Sequence, residues 1–462
     1  MDFTEALEGL RQRIPASIGE PDLERMRAMA ALMGDPQTGY PAIQITGTNG
    51  KTSTARMIAV LLDASGISAG LYTSPHLQSI RERLTAAGMP ITEREFTDVY
   101  ADLAPLLELV DEQRGDHITY FEALTAMAYW WFADKPVEVG VFEVGMGGRW
   151  DATNLVRGEV AVLTAIDVDH SELGDTPEAV AGEKVGIVKP GATVICAEQA
   201  PEVLAIIEDR ATEVGARLWR AGRDFGVRDR RIGVGGQGVT LDVGERRIEV
   251  FLPAFGAHQA ANAALALAAY AAFLGDAWDN VDDDLVRQGF AAVETPGRLE
   301  VVHREPTVLL DGAHNPHGAR TAAAAIGEAF SFRNLIVVLA VLADKDIDGI
   351  VGAYVGIAHH VVVTRAPTHR SATVPQLAAI AQARWAGTGV AVETAANVDE
   401  ALDKATGVAG EGDGVLVTGS LYAVGAARER YLPLGNDEPD LGDYGSDLPQ
   451  DPFDLLDGDA EE

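Results

Sequence analysis

The sequence predicts an α/β protein in two units. The first is a P-loop ATPase-like domain built on a parallel sheet, and the second is a smaller Rossmann-like α/β domain. Three observations carry this reading. An apolar, strand-like run, P-A-I-Q-I (41–45), leads through T-G-T-N-G-K-T-S (46–53) into a helix-like segment ending at Ala64. Apolar runs then alternate with helical segments to about residue 295, the pattern of a parallel sheet covered on both faces. After E-T-P-G-R-L-E-V-V (294–302) the alternation starts again with a second set of strands.

Taken in order, M-D-F-T-E-A-L-E-G-L-R-Q-R (1–13) is an amphipathic, acid-bearing helix rather than a signal peptide. Strands are expected at 41–46, 137–144, 160–166 and 192–198, with another short one just before Ser74. A hairpin-like patch lies at 239–253 and an Ala-rich helix at 258–274. Residues 294–302 read as a linker entering a new strand. The second unit has strands at 307–311, 334–341, 360–365, 390–395 and 414–419, with helices at 317–329, 374–385, 398–408 and 421–430. The expected division is therefore 1–296, 297–433 and an acidic tail at 434–462.

Composition narrows the function classes. Apolar residues make up 47% of the 462, ordinary for a globular protein with two or three cores. No stretch approaches the ~20 uninterrupted apolar residues of a membrane helix, so a cytoplasmic protein is expected. The single cysteine, Cys196, lies in the strand-like A-T-V-I-C-A-E and has no disulfide partner. A net charge of −34 argues against a nucleic-acid partner. The tail contributes 11 acids and no Lys or Arg, leaving −23 on the rest. Its composition is that of a disordered solubilising segment; Phe453, Leu455 and Leu456 make a docking motif the less favoured alternative. Only six residues are lysine. Low lysine with high aspartate fits a GC-rich genome and a salt-adapted cytosol alike.

The loop at 46–53 is a phosphate cradle. Glycines let backbone N–H groups face phosphate oxygens, and the following helix N-terminus adds partial positive charge. Lys51 reaches the terminal phosphates, and a hydroxyl at Thr52 or Ser53 faces magnesium. The common G-x-x-x-x-G-K-[ST] spacing would need glycine at position 45; this chain has Ile45, and its first glycine is Gly47.

Ligands in an open parallel sheet bind beyond the carboxyl ends of the strands. That rule selects Thr46–Ser53, Glu143, Asp167–His170 and Asp311–Asn315. Glu143, ahead of V-G-M-G-G-R-W-D-A-T-N, suits a magnesium contact. Asp167, Asp169 and His170 are plausible hard-metal ligands, although His170 alone would read as a capping or surface residue. Ser74 in T-S-P-H-L could place a hydroxyl on the metal; alone it is a turn serine. Lys184 and Lys189 stand out because lysine is scarce, and a salt bridge from Lys184 to Glu183 or Glu178 is the plain reading. Asp311 and His314 could hold a ribose or orient phosphate, or simply cap a helix.

These residues resemble a family. G-T-N-G-K-T-S, T-S-P-H-L, T-Y-F-E (119–122), E-V-G-M-G-G-R-W-D-A-T-N (143–154), G-E-K-V-G-I-V-K-P-G (182–191), H-Q-A-A-N (258–262), P-G-R-L-E (296–300) and D-G-A-H-N-P (311–316) occur in order. Together they resemble folylpolyglutamate synthase/dihydrofolate synthase, a branch of the Mur ligase superfamily, over about residues 1–430. The resemblance implies a central Mur ligase-type ATP domain and a C-terminal α/β domain closing over it. It implies that Thr48, Asn49, Gly50, Lys51, Thr52 and Ser53 hold ATP, with Asn262, Arg298 and Asp311. It implies magnesium on Ser74, Glu143 and His170, and on Lys184 as a carbamate. Thr119, Tyr120, Phe121, Glu122, Trp150, Asp151 and Ala152 would line the pterin pocket. Lys51, Lys184 and His314 would be the catalytic set.

Two departures stand out. Thr52 replaces the glycine of the family's G-K-G-[ST], and the D-H-x-x-x-L-G string is one residue shorter at Asp169–Gly174. The implied reaction is ATP-dependent addition of L-glutamate to dihydropteroate or to reduced folates through an acyl phosphate, by a monomer. A cell-wall Mur ligase is the alternative, but only about 40 residues precede the phosphate loop, too few for a UDP-substrate domain. An ATP-dependent switch protein using the acidic tail is the alternative from another class.

Overall fold

The computed structural model describes residues 1–14, 22–135, 137–168 and 171–434. Asp169 and His170, and the tail from 435 onward, lie outside the described residues.

Helices α1 (Phe3–Arg11) and α2 (Glu24–Leu32) precede strand β1 (Ala42–Thr46), which feeds α3 (Lys51–Ala64) and β2 (Ala69–Tyr72). Short strands β3 (Leu84–Ala86) and β4 (Met89–Pro90) turn back beside β2. Helices α4 (Glu93–Arg114) and α5 (Tyr120–Asp134) lead to β5 (Val139–Glu143) and β6 (Val160–Leu163). Then come α6 (Pro177–Lys184), β7 (Thr193–Cys196), α7 (Pro201–Val214) and β8 (Arg217–Arg220). The eight strands form one sheet in the order β4-β3-β2-β5-β1-β6-β7-β8. β2 and β5 to β8 run parallel with β1, and β3 and β4 form an antiparallel edge.

Pleat alternation assigns the two faces of this sheet. Ile43, Ile45, Val139 and Val141 pack under α3 and an Ala-rich helix, α8 (Ala257–Leu274). Tyr72 and Phe142 point the other way, into an aromatic core with α4 and α5. The segment Ala257–Asn280 is long and apolar enough to cross a membrane, but 61% of its apolar window is buried, and it forms the core between layers. Before α8, strands β9 (Phe225–Gly233), β10 (Gly236–Val243) and β11 (Arg246–Leu252) make an antiparallel sheet. The expected hairpin is β10–β11. The third strand, F-G-V-R-D-R-R-I-G, carries too many arginines on its solvent side to read as a strand.

After α9 (Asp283–Ala291) the chain enters β12 (Arg298–Arg304), antiparallel to β13 (Thr307–Asp311). Then follow α10 (Pro316–Ala329), β14 (Leu335–Leu339), α11 (Ile347–Ala353), β15 (His360–Val363), α12 (Val374–Arg384), β16 (Ala391–Thr394), α13 (Val398–Val408), β17 (Gly414–Thr418) and α14 (Leu421–Tyr431). Their sheet order is β12-β13-β17-β14-β15-β16. β13 and β17 are the interior strands nearest the first sheet's cleft, buried along their whole apolar length by helices on both faces. Both sheets are mixed because each carries an antiparallel edge.

Candidate active site

β1 ends at Thr46, and the chain turns through Gly47 at φ +147° and Gly50 at φ +92° before α3 begins at Lys51. Both glycines are required by space as well as by φ. A Cβ on Gly47 would sit 1.8 Å from Thr164 Oγ1, and one on Gly50 would sit 2.5 Å from Asn262 Oδ1. The loop is held from β6 as well: Thr48 Oγ1 donates to Asp167 O at 2.6 Å. Lys51 Nζ curls over the loop and donates to the carbonyls of Gly47 and Thr48 at 3.0 and 3.2 Å.

Glu143, the last residue of β5, is buried below this loop. Thr52 Oγ1 donates to its Oε1 at 2.8 Å, and Ser74 N donates to its Oε2 at 3.1 Å. Burial pushes its carboxyl above the usual range, against the pull of Lys51 and Thr52. Lys184 ends α6, is 3% exposed, and donates from Nζ to Gly47 O at 2.9 Å. The structure thus places Lys184 against the phosphate loop rather than on the surface.

From α8, Asn262 Nδ2 donates to Gln259 Oε1, and Gln259 Nε2 donates to Ser53 Oγ. His258 begins the same helix with its Nδ1 buried and without a hydrogen-bond partner. Burial and the nearby Arg298 lower its pKa to about 4, so it is neutral.

The second unit supplies the facing wall. Asp311 ends β13, buried, with its pKa raised by burial. Its two oxygens accept from Leu299 N and Ala313 N at 3.0 Å each. Leu299 sits at φ +49°, a conformation costly for a side chain of this kind, at a register shift in the β12–β13 pair. That kink follows Arg298 directly, and a Cβ on Gly312 would meet Arg298 Nη1 at 2.4 Å. His314 Nδ1 lies 2.9 Å from Gly312 O. At the start of α10, Asn315 Nδ2 donates to Asn49 Oδ1 at 3.2 Å, and His317 Nδ1 lies 3.2 Å from Asn49 Nδ2. The phosphate loop therefore touches both units.

One cleft of about 610 Å³ joins these groups. Thr48 to Ser53, Ser74, Glu143, Asn262, Arg298, Asp311 and His314 all line it. So do residues that sequence reasoning did not single out: Gln259, His317, Lys345 and Arg370. Asp344 pairs with Lys345 at 3.5 Å and with Arg370 at 3.2 Å. Lys345 is one of only six lysines, the same signal that drew attention to Lys184.

The 119–122 and 150–152 groups are not on the lining of this cleft. Thr119 caps α5 in a reciprocal box with Glu122, whose carboxylate also pairs with Arg25. Tyr120 and Phe121 are buried in the aromatic core, and Phe121 underlies Gly145, which does line the cleft. Asp151 is buried and accepts from Met146 N and Thr153, and Ala152 O accepts from Tyr129 Oη. Trp150 is 45% exposed. His170, the remaining expected metal ligand, lies outside the described residues.

Magnesium and nucleotide fit these donors. The two loop glycines leave a cradle that a Cβ would fill. Glu143 with the hydroxyls of Thr52 and Ser74 is a hard-oxygen set of the kind magnesium takes. Among the described residues no group of three or more His, Cys, Asp or Glu side chains is placed to hold a metal ion.

A parallel sheet with a phosphate loop, facing a second α/β unit across a shared cleft, defines the Mur ligase architecture. Residues 45–270 match the Mur ligase middle domain, and residues 297–421 match the Mur ligase glutamate ligase domain. The dihydrofolate synthase/folylpolyglutamate synthase of Mycobacterium tuberculosis is 42% identical over 451 residues, covering 91% of this chain and 92% of that protein. The solved Mycobacterium tuberculosis folylpolyglutamate synthase complexed with ADP superposes with a TM-score of 0.87 at 40% identity, covering 93% of this chain and 98% of the other. A solved FPGS–AMPPCP–folate complex gives a TM-score of 0.81 at 30% identity, covering 94% and 100%. The chain belongs to the dihydrofolate synthase/folylpolyglutamate synthase family.

Proposed function

We propose that this protein joins L-glutamate to dihydropteroate, to folates, or to both, using ATP and forming an amide through an acyl phosphate. The observation that carries the reading is the single cleft in which the phosphate loop and Glu143 face Arg298, Asp311 and His314 of the second unit. Relatives solved with ADP, and with AMPPCP and folate, support it. The peptidoglycan alternative loses ground because the similarity to the folate branch runs over nearly the whole chain. The division at 296/297 fits a first unit that binds nucleotide and a second that closes over it.

The chain's own residues take these roles. The backbone N–H groups of Thr48 to Ser53 cradle the phosphates, and the start of α3 favours their charge. Lys51 leaves its carbonyl partners to meet the terminal phosphate. Arg298 contacts the nucleotide and counters charge on its phosphates, and His314 stands beside it. Glu143, Ser74, Thr52 and His170 would hold magnesium, with Lys184 as a carbamate. Magnesium, when bound, neutralises phosphate charge. An unmodified lysine is a cation and cannot serve as that ligand. Asn262 and Asp311 orient the nucleoside. Lys345 and Arg370 suit the carboxylates of glutamate. The 119–122 and 150–152 segments would bind the pterin substrate, with Trp150 the most exposed among them. ATP supply and a buried, unpaired Cys196 fit a cytoplasmic location.

The deciding assay offers the purified protein ATP, magnesium and labelled glutamate with dihydropteroate, dihydrofolate and tetrahydrofolate in turn. The expected result is acceptor-dependent ADP release matched by labelled amide product. Turnover of ATP with no amide from any acceptor overturns the reading.

A further inference from the structure

Arg56 lies on α3, one turn beyond Thr52, and is not among the residues that line the main cleft. It lines a second, small cavity of about 30 Å³ where four pieces of chain meet. These are α3 (Thr52, Ser53), the segment after β2 (Pro75, Leu77, Glu82), the linker (Thr295, Pro296, Arg298) and the start of α14 (Leu421). A space of that size holds one or two waters. Arg298 borders this cavity and the nucleotide cleft alike, so it forms the wall between them.

The charges around Arg56 are committed elsewhere. Glu82 accepts from the backbone N–H groups of Leu77, Gln78 and Ser79. Glu143 accepts from Thr52 and Ser74. Glu294 faces Arg56 from the linker but is exposed. Among the described residues no hydrogen bond or ion pair engages the Arg56 side chain. Burial and Arg298 disfavour its charge, and the three carboxylates favour it. Arg56 is therefore poorly placed as a structural salt bridge, and its contribution is best sought in its effect on Arg298.

We infer that Arg56 is a positioning residue that keeps the Arg298 guanidinium turned into the nucleotide cleft by placing like charge on the wall of the small cavity that both residues line. Without that charge, Arg298 has a second destination: the cavity beside Glu82. Two other features already bias Arg298 toward the cleft, the left-handed Leu299 that follows it and the Gly312 contact beneath it. Arg56 closes the remaining exit. The inference rests on reading Arg298 as a nucleotide contact.

The test measures Mg·ADP binding by titration calorimetry on the full chain for Arg56→Met, Arg56→Lys, Arg298→Ala and the double variant Arg56→Met/Arg298→Ala. Arg56→Met is expected to weaken binding about tenfold, the scale of one misplaced charge-assisted hydrogen bond. Arg56→Lys keeps the charge and should bind within about twofold of the unaltered protein. The double variant should bind no more weakly than Arg298→Ala alone. The KM values for glutamate and acceptor should not move. Should Arg56→Met fail to fold, Arg56→Gln takes its place. Unchanged binding in the uncharged variant, or effects that multiply in the double variant, overturns the inference. If Arg298→Ala itself binds Mg·ADP normally, the nucleotide reading of Arg298 fails, and the inference goes with it.

Discussion

Among the described residues Lys51 hydrogen-bonds to two loop carbonyls alone, so its removal separates chemistry from folding. Lys51→Ala should abolish ATP-dependent ligation while its melting temperature stays within about 2 °C of the unaltered protein. Initial rates with labelled glutamate and a thermal melt check both halves. Glu143 makes the opposite case, because its burial opposes folding. Its folded pKa lies above the unfolded value, so between the two the folded protein holds a proton that the unfolded chain has lost. Stability from this group is fully present at low pH and falls as pH rises through that window. Glu143→Gln should therefore melt higher than the metal-free parent, by a margin that grows as pH rises above the ordinary glutamate range. The same variant should need far more magnesium for turnover, or stop. A flat margin with pH, or an unchanged magnesium titration, places the metal elsewhere. Lys184 is buried against Gly47 O, where an added carboxylate would lie beside the phosphate loop. Lys184→Ala should be nearly inactive, and a short carboxylic acid in solution should restore part of the rate. Native mass spectrometry at mildly alkaline pH with bicarbonate should show the added carboxylate. Normal kinetics in Lys184→Ala would leave the lysine a purely structural role.

Among elements, the turn between β1 and α3 bears the most constraint. Gly47→Ala puts a methyl 1.8 Å from Thr164 Oγ1 at φ +147°, so β6 or the loop must move. A loss of about 1–3 kcal/mol is expected, read as a lower midpoint in urea, with nucleotide binding lost more than stability. The β1 run and this turn could be read directly from residues because glycine, lysine and hydroxyls have few other reasons to occur in that order. So could most strands of both sheets, whose continuous apolar runs match their burial on two faces. The strands that sequence missed were polar or short. β8 and β9 carry arginines on exposed positions, and β3 and β4 span too few residues to show a period. The site was readable where residues sit at strand ends. It was not where side chains arrive from distant helices: Gln259 behind Ser53, His317 beside Asn49, and the Asp344–Lys345–Arg370 group follow from tertiary packing alone.

For the molecule as a whole, charge sets the balance between the two units. Contacts between the units are both polar and apolar: Asn49 with Asn315 and His317, Gln78 with Glu429, Arg428 and the Leu432 carbonyl, Arg230 with Glu328, Phe255 packed on Phe330, and Leu77 against the core beneath α14. The polar share of this interface suits units that open and close. Against them stands a net charge of −34, of which 11 charges belong to the segment beyond Leu434. Like charge at that density destabilises a compact state and is screened by salt, since the Debye length shrinks from about 10 Å at 0.1 M to about 3 Å at 1 M. The melting temperature should therefore rise by several degrees between about 0.05 and 1 M KCl, rather than fall as it would if surface ion pairs dominated. A chain ending at Leu434 should show a smaller rise, because it lacks a third of the excess charge. Its ligase rate should equal that of the full chain if the segment only solubilises. A truncated chain with the same salt response would show that the repulsion lies wholly within the two folded units. A truncated chain that loses activity would give the acidic segment a role in catalysis or partner binding.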